Sequence, residues 1–223
     1  MHRKTARKLA LIQWSCFQCE IAQMSGSTLF TGVNGSGKST ILDAISYLLT
    51  ANTQFNLAAK DRERTVRGYV RGDTKSNGRD QYLRNGEVVS YIAMEFFSET
   101  DGNSFVIGVC IESPGVADKC TPYWFILKDT VLEDVEMTQE KDQKLYVLPR
   151  KELKVRGKLL RMSDFLGRDK AKQQIARALG LRCDAEKYRG KLVKMMAFNP
   201  ENNIDQFIQN CVLEAGNVNS LML

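Results

Sequence analysis

At 223 residues, of which 43% are apolar, the chain is long enough for one generous domain or a domain with an embedded lobe, and a packed core is expected. No run of about eighteen apolar residues occurs, and the basic start Met1 to Lys4 precedes only a short apolar stretch, so a membrane span and a secretory signal are disfavoured and a cytoplasmic location is expected. The net charge of +6 suits a polyanionic partner, and a single histidine, His2, nearly removes mechanisms that need a histidine base or ligand.

Taken in chain order, Leu9 to Trp14, Phe17 to Met24 and Thr28 to Val33 are short strand-like runs of one sheet. Ile41, Ile45 and Leu48 then recur at helical spacing and predict a helix from Lys38 to about Thr50. Residues 51–86 are polar and arginine-rich, with four glycines and a short helix near Glu63 to Val70, and read as a partly mobile insertion. Val89 to Phe97, Ser104 to Glu112 and Tyr123 to Lys128 are strands joined by short turns, which implies an antiparallel meander. A strand near Leu145 to Leu148 follows, then a helix from Asp169 to Leu179 stopped by Gly180, and a last helix opened by Asn199 and Pro200. The six cysteines are scattered through apolar surroundings; Cys16 and Cys19 form the only Cys-x-x-Cys pair and lack the further ligands a zinc site needs.

The chemistry is carried by Gly32-Val33-Asn34-Gly35-Ser36-Gly37-Lys38-Ser39. A triphosphate needs many donors in a concave turn, which the glycines permit; the amides of Gly32, Asn34, Gly35, Ser36, Gly37 and Thr40 would cradle phosphate. Lys38, the expected catalytic residue, reaches the β and γ phosphates, Ser39 ligates magnesium, and the helix N-terminus adds its positive end. ATP and Mg2+ are therefore the expected ligands, although the loop reads no base. A motor ATPase also needs an apolar strand ending in acids. The nearest candidate, Tyr123 to Asp129, has an intervening lysine and a single acid, fits that role poorly, and reads better as a strand of the meander.

Leu29 to Ile45, with Asn-Gly-Ser-Gly-Lys-Ser-Thr followed by Asp43-Ala44, resembles the start of an SMC-type or related ABC ATPase head. Phe55 to Gly72 resembles the JetC subunits of Wadjet plasmid-defence systems, relatives of MukB, and Phe198 to Ile208 is similar to the region before the coiled coil in such heads. The resemblance implies an α/β fold: the N-terminal half of a P-loop ABC/SMC-type ATPase head, with an antiparallel β-meander lobe and flanking helices. Residues 1–50 would carry the first strands, loop and helix, 51–86 the insertion, 87–150 the meander, and 151–223 a helical lobe leading to a coiled coil, so that the chain reads as one piece of a head. The family's partners would be the C-terminal half-head, a second head, kleisin, KITE and nuclease subunits, and double-stranded DNA, with hydrolysis driving loop extrusion in anti-plasmid defence. A glutamine loop is implied near the last helix, from Gln206 or Asp205, as a second magnesium ligand.

Lys60, Arg62, Arg64, Arg67 and Arg71 have three readings: contacts to a γ-phosphate, contacts to a DNA backbone, or a solvated charged loop. Trp14 reads as a core residue or a neighbour of the base. Two other functions compete with the half-head: a small P-loop phosphotransferase with an arginine-rich lid, which the meander argues against, and a nucleotide-gated interaction module without turnover.

Overall fold

The computed structural model describes residues 4–53, 55, 64–74, 81–181, 187–188 and 190. Lys60, Arg62, Asp205, Gln206 and the helix expected after Pro200 lie outside the described residues.

The chain is a mixed α/β structure organised on one antiparallel sheet. Strands β1 (Lys4–Trp14), β2 (Phe17–Gln23), β3 (Val88–Ser98), β4 (Asn103–Ser113) and β5 (Thr121–Lys128) lie in the order β2-β1-β3-β4-β5. The meander of β3, β4 and β5 follows the sequence reading to within two residues at each end. Period-two alternation sends one set of side chains to each face, and Gly102 at φ 68° closes the β3–β4 turn.

Each face has its own core. On one, Leu9, Leu11, Ile92, Met94, Ile107, Val109 and Trp124 meet α1 (Lys38–Thr50), α2 (Val66–Arg71) and α3 (Arg168–Ala178) through Ala44, Tyr47, Leu48, Tyr69, Val70, Ala171 and Ile175. On the other, Ala10, Ile12, Tyr91, Ala93, Val106 and Phe125 pack on Leu132, Val135, Met137 and Leu153. These last lie in or beside small β units: β6 (Val135–Glu136), β9 (Lys154–Val155) and β10 (Lys158–Leu159) form one sheet, and β7 (Thr138–Lys141) pairs with β8 (Lys144–Val147). α-Helix therefore resumes only at Arg168, and strands β9 and β10 with short 3-10 turns occupy residues 151–166, where the helical lobe was expected to begin.

Two further features depart from the sequence reading. Residues 25–33 are in no strand, and Leu29 and Val33 are 85% and 79% exposed, so the strand expected at Thr28 to Val33 is not formed. A strand exists only by its neighbours' hydrogen bonds, and the sheet offers this segment none. The insertion is also less solvated than its composition implies, since Tyr69, Val70 and Arg71 are buried. Its helix α2 starts where Thr65 Oγ1 accepts the Gly68 amide at 3.0 Å and ends at Gly72.

An aromatic cluster joins these parts. Trp14 stacks on Tyr69 with centroids 4.6 Å apart, Phe55 meets Tyr69 edge-on at 5.0 Å, and Tyr47 lies 5.5 Å from Trp124. Such pairs contribute roughly 0.5–1.5 kcal/mol each beyond the area they bury. Trp14 is fully buried here, so it is a core residue and not a neighbour of the base.

Candidate nucleotide-binding site

β1 ends in a tight turn, Ser15-Cys16, that returns as β2 with Trp14 opposite Phe17. The phosphate loop rests against this turn. Its residues are exposed from Gly32 to Ser36, and Gly37 at φ 94° forms the N-cap of α1, a conformation that a side chain disfavours. A β-carbon on Gly37 would lie 2.9 Å from Phe17 Cζ and 3.5 Å from Cys16 Sγ, so the position is closed sterically as well. The Ser36 amide donates to Val33 O at 3.2 Å, and the Trp14 indole N–H donates to Thr40 O at 3.2 Å in the first turn of α1.

Lys38 folds back over the loop, donating to Gly32 O at 2.7 Å and Val33 O at 2.8 Å. Its ammonium thus stands against the loop backbone, at the end of α1 where the helix macrodipole is positive. Ser39 is exposed on the first turn. A hydroxyl, a fixed cation and converging amides are the donor set a magnesium–polyphosphate requires.

The arginines separate by role. Arg64 Nη1 donates to Asp43 Oδ2 at 2.9 Å and to the Tyr69 hydroxyl at 3.1 Å, and the Tyr69 hydroxyl donates to Asp43 as well. Asp43 is 1% exposed, so this network pins residues 64–71 to α1. Burial, then the bond to Asp43, raises the Tyr69 pKa above its ordinary value. Arg71 is fully buried and donates to Arg84 O (2.9 Å), Gly86 O (3.0 Å), Ser113 O (3.2 Å) and Ser113 Oγ (2.9 Å). It is therefore a structural residue, and the solvated, phosphate and DNA readings do not apply to it: a guanidinium fully buried, with both terminal nitrogens bonded to acceptors of its own chain, does not reach a ligand. Arg67 is directed to Ala117 O and Asp118 O at 3.4 and 3.1 Å.

Tyr123 to Asp129 forms edge strand β5 and not the acidic strand of a motor site. Lys128 is level with Phe105, Phe105 with Phe96, and Phe96 with Ala6. The phosphate loop instead abuts Trp14 at the far end of β1, eight residues on, about 26 Å at roughly 3.3 Å per residue. Asp129 accepts from Asn103 Nδ2 at 2.6 Å.

Sequence reading assigned no role to Asp43, Phe17 or Arg84. Asp43 stood in the Asp-Ala pair after the loop, which was a usable signal. Phe17 and Arg84 had none, because their partners are backbone groups brought near only by folding.

Among the described residues no helix is long and apolar enough to cross a membrane, and no cluster of three histidine, cysteine or acidic residues could hold a metal ion. Residues 6–62 match the family model of the P-loop containing region of the AAA domain. No curated protein matches the chain. The matched stretch runs from β1 through the loop and α1, and with the geometry above it marks the chain as carrying a P-loop ATPase-type region, a kind of region that generally binds nucleotide with Mg2+.

Proposed function

We propose that this chain is the ATP-binding part of an SMC-like ATPase head, which holds Mg-ATP on its phosphate loop and hydrolyses it only when completed by a C-terminal half-head and a second head. The observation that carries the reading is the loop itself: Lys38 folded back over the exposed glycine-rich loop, on Gly32 O and Val33 O, at the start of α1. Gly32, Asn34, Gly35, Ser36, Gly37 and Thr40 bind phosphate through their backbone, Lys38 stabilises charge on the β and γ phosphates, and Ser39 ligates Mg2+. Gln206 remains the proposed second metal ligand. Lys60, Arg62 and Arg67 remain proposed contacts to phosphate or DNA, with Arg64 as the residue that anchors their segment.

Two features support an incomplete site. The segment before the loop is exposed at Leu29 and Val33, as a strand would be whose neighbours come from another segment or chain. The one acidic strand candidate ends far from the loop. By resemblance, the assembled head would serve a DNA loop-extruding motor of the Wadjet type, with kleisin, KITE and nuclease partners and double-stranded DNA as substrate.

The test is Mg-ATP binding and turnover by the chain with and without double-stranded DNA. Binding with almost no turnover is expected, and Lys38→Ala should weaken binding about tenfold or more, since charge-assisted bonds to phosphate are lost. Brisk hydrolysis by the chain alone would show an intact enzyme instead.

A further inference from the structure

The β1–β2 turn touches the phosphate loop at its most constrained point. Gly37 is both the last glycine of the loop and the N-cap of α1, so its placement sets where Lys38 and Ser39 begin. The Phe17 ring edge fills the space beside it, with Cζ and Cε2 at 2.9 and 3.4 Å from where a β-carbon would stand. Phe17 is not a loose surface ring, because it packs against the core on the helix side of the sheet.

The turn carrying Phe17 is held in its turn from the insertion. Arg84 Nη2 donates to Ser15 O at 3.0 Å and to Phe17 O at 3.4 Å, while its Nη1 donates to Val70 O at 3.2 Å. The Ser15 amide donates to Tyr69 O at 2.6 Å. Contacts thus run without a break from α2 through Arg84 and the turn to the loop.

We infer that Phe17 is a positioning residue for the phosphate loop, a fixed wall that holds Gly37 in the conformation that aims the loop's amides and Lys38 at phosphate, and that Arg84 acts through it by holding the turn. The inference rests on the nucleotide reading above. It makes the wall's effect independent of the base, because the ring acts on the loop and not on the ligand's far end. A preorganised cradle spends no binding energy on ordering, so loss of the wall lowers affinity for any polyphosphate.

The whole chain, as wild type, Phe17→Ala, Phe17→Leu, Arg84→Gln and the double variant, is titrated with Mg-ATP and with magnesium tripolyphosphate. Far-UV circular dichroism and melting are measured on each. Phe17→Ala should weaken both ligands to the same degree, about tenfold, as expected for lost preorganisation. Phe17→Leu should restore most of the affinity, and Arg84→Gln combined with Phe17→Ala should do no more than Phe17→Ala alone, since both act on one contact. Weakening toward ATP alone would overturn the inference by showing that the ring meets the base. Unchanged affinity for both ligands would overturn it too, as would a loss that Phe17→Leu fails to restore and that tracks unfolding, which is a merely structural role. Failure of the wild type to bind either ligand would instead remove the nucleotide reading, and this inference with it.

Discussion

Arg71 and Asp43 are charged groups taken out of water, and the hydrogen-bond partners of each come from elsewhere in the chain. The acceptors of Arg71 are three carbonyls and one hydroxyl from residues 84–113, so truncating it strands the buried Ser113 carbonyl and hydroxyl and unties two part-buried carbonyls at once. Arg71→Leu should therefore cost at least about 3 kcal/mol, read as a lowered midpoint in urea unfolding, whereas the same change at Arg67, whose two bonds are exposed, should cost less than about 1 kcal/mol. Burial raises the pKa of Tyr47, Tyr69 and Tyr91. The unfolded chain then loses those protons first, near pH 10, so the stability they contribute is full below that pH and declines above it, by about 1.4 kcal/mol per pH unit for each tyrosine involved. Unfolding free energy measured from pH 8 to 11 should be flat and then fall; a flat profile throughout would show these hydroxyls reach water.

At the scale of elements, the Phe125 ring of β5 lies over Gly108 of β4 so closely that only hydrogen fits. A β-carbon on Gly108 would stand 2.1 Å from Phe125 Cζ, and Phe125 is fully buried in the core on the side of β6 and β9. Gly108→Ala should destabilise by about 1–3 kcal/mol through this overpacking, visible as a lower melting temperature, and Phe125→Leu in the same chain should recover part of it. The short helix α2 depends on its cap, since six residues cannot sustain helix by propensity. Thr65→Ala should cost about 1 kcal/mol and loosen protection of amides in 66–71 under hydrogen exchange. The meander was legible in the residues themselves, because alternation and an Asp-Gly turn are local properties. The helix α1 was legible in extent and less so in face: Ala44, Tyr47 and Leu48 are fully buried while Ile41 and Ile45 are only partly covered, because α2 and α3 decide which side is enclosed.

For the whole molecule, the sheet separates helices on one face from small β units on the other, and the phosphate loop emerges at one end of β1. The segment 28–33 leads into that loop without ladder bonds, so its amides should exchange with solvent far faster than those of β1 and β3. Protection appearing there when a C-terminal half-head is added would support the completed-head reading; continued fast exchange in an active assembly would sink it. Read alone, the residues determined that a phosphate loop exists, that a helix follows it and that the later strands are antiparallel, for glycine spacing and hydrophobic period are written along the chain. Only the tertiary structure decided that Thr28 to Val33 stays unpaired, that Arg71 is a buried tie and not a surface cation, and that Phe17 backs the loop. Each of those depends on which backbone groups from distant segments arrive beside it, and no local pattern encodes that meeting.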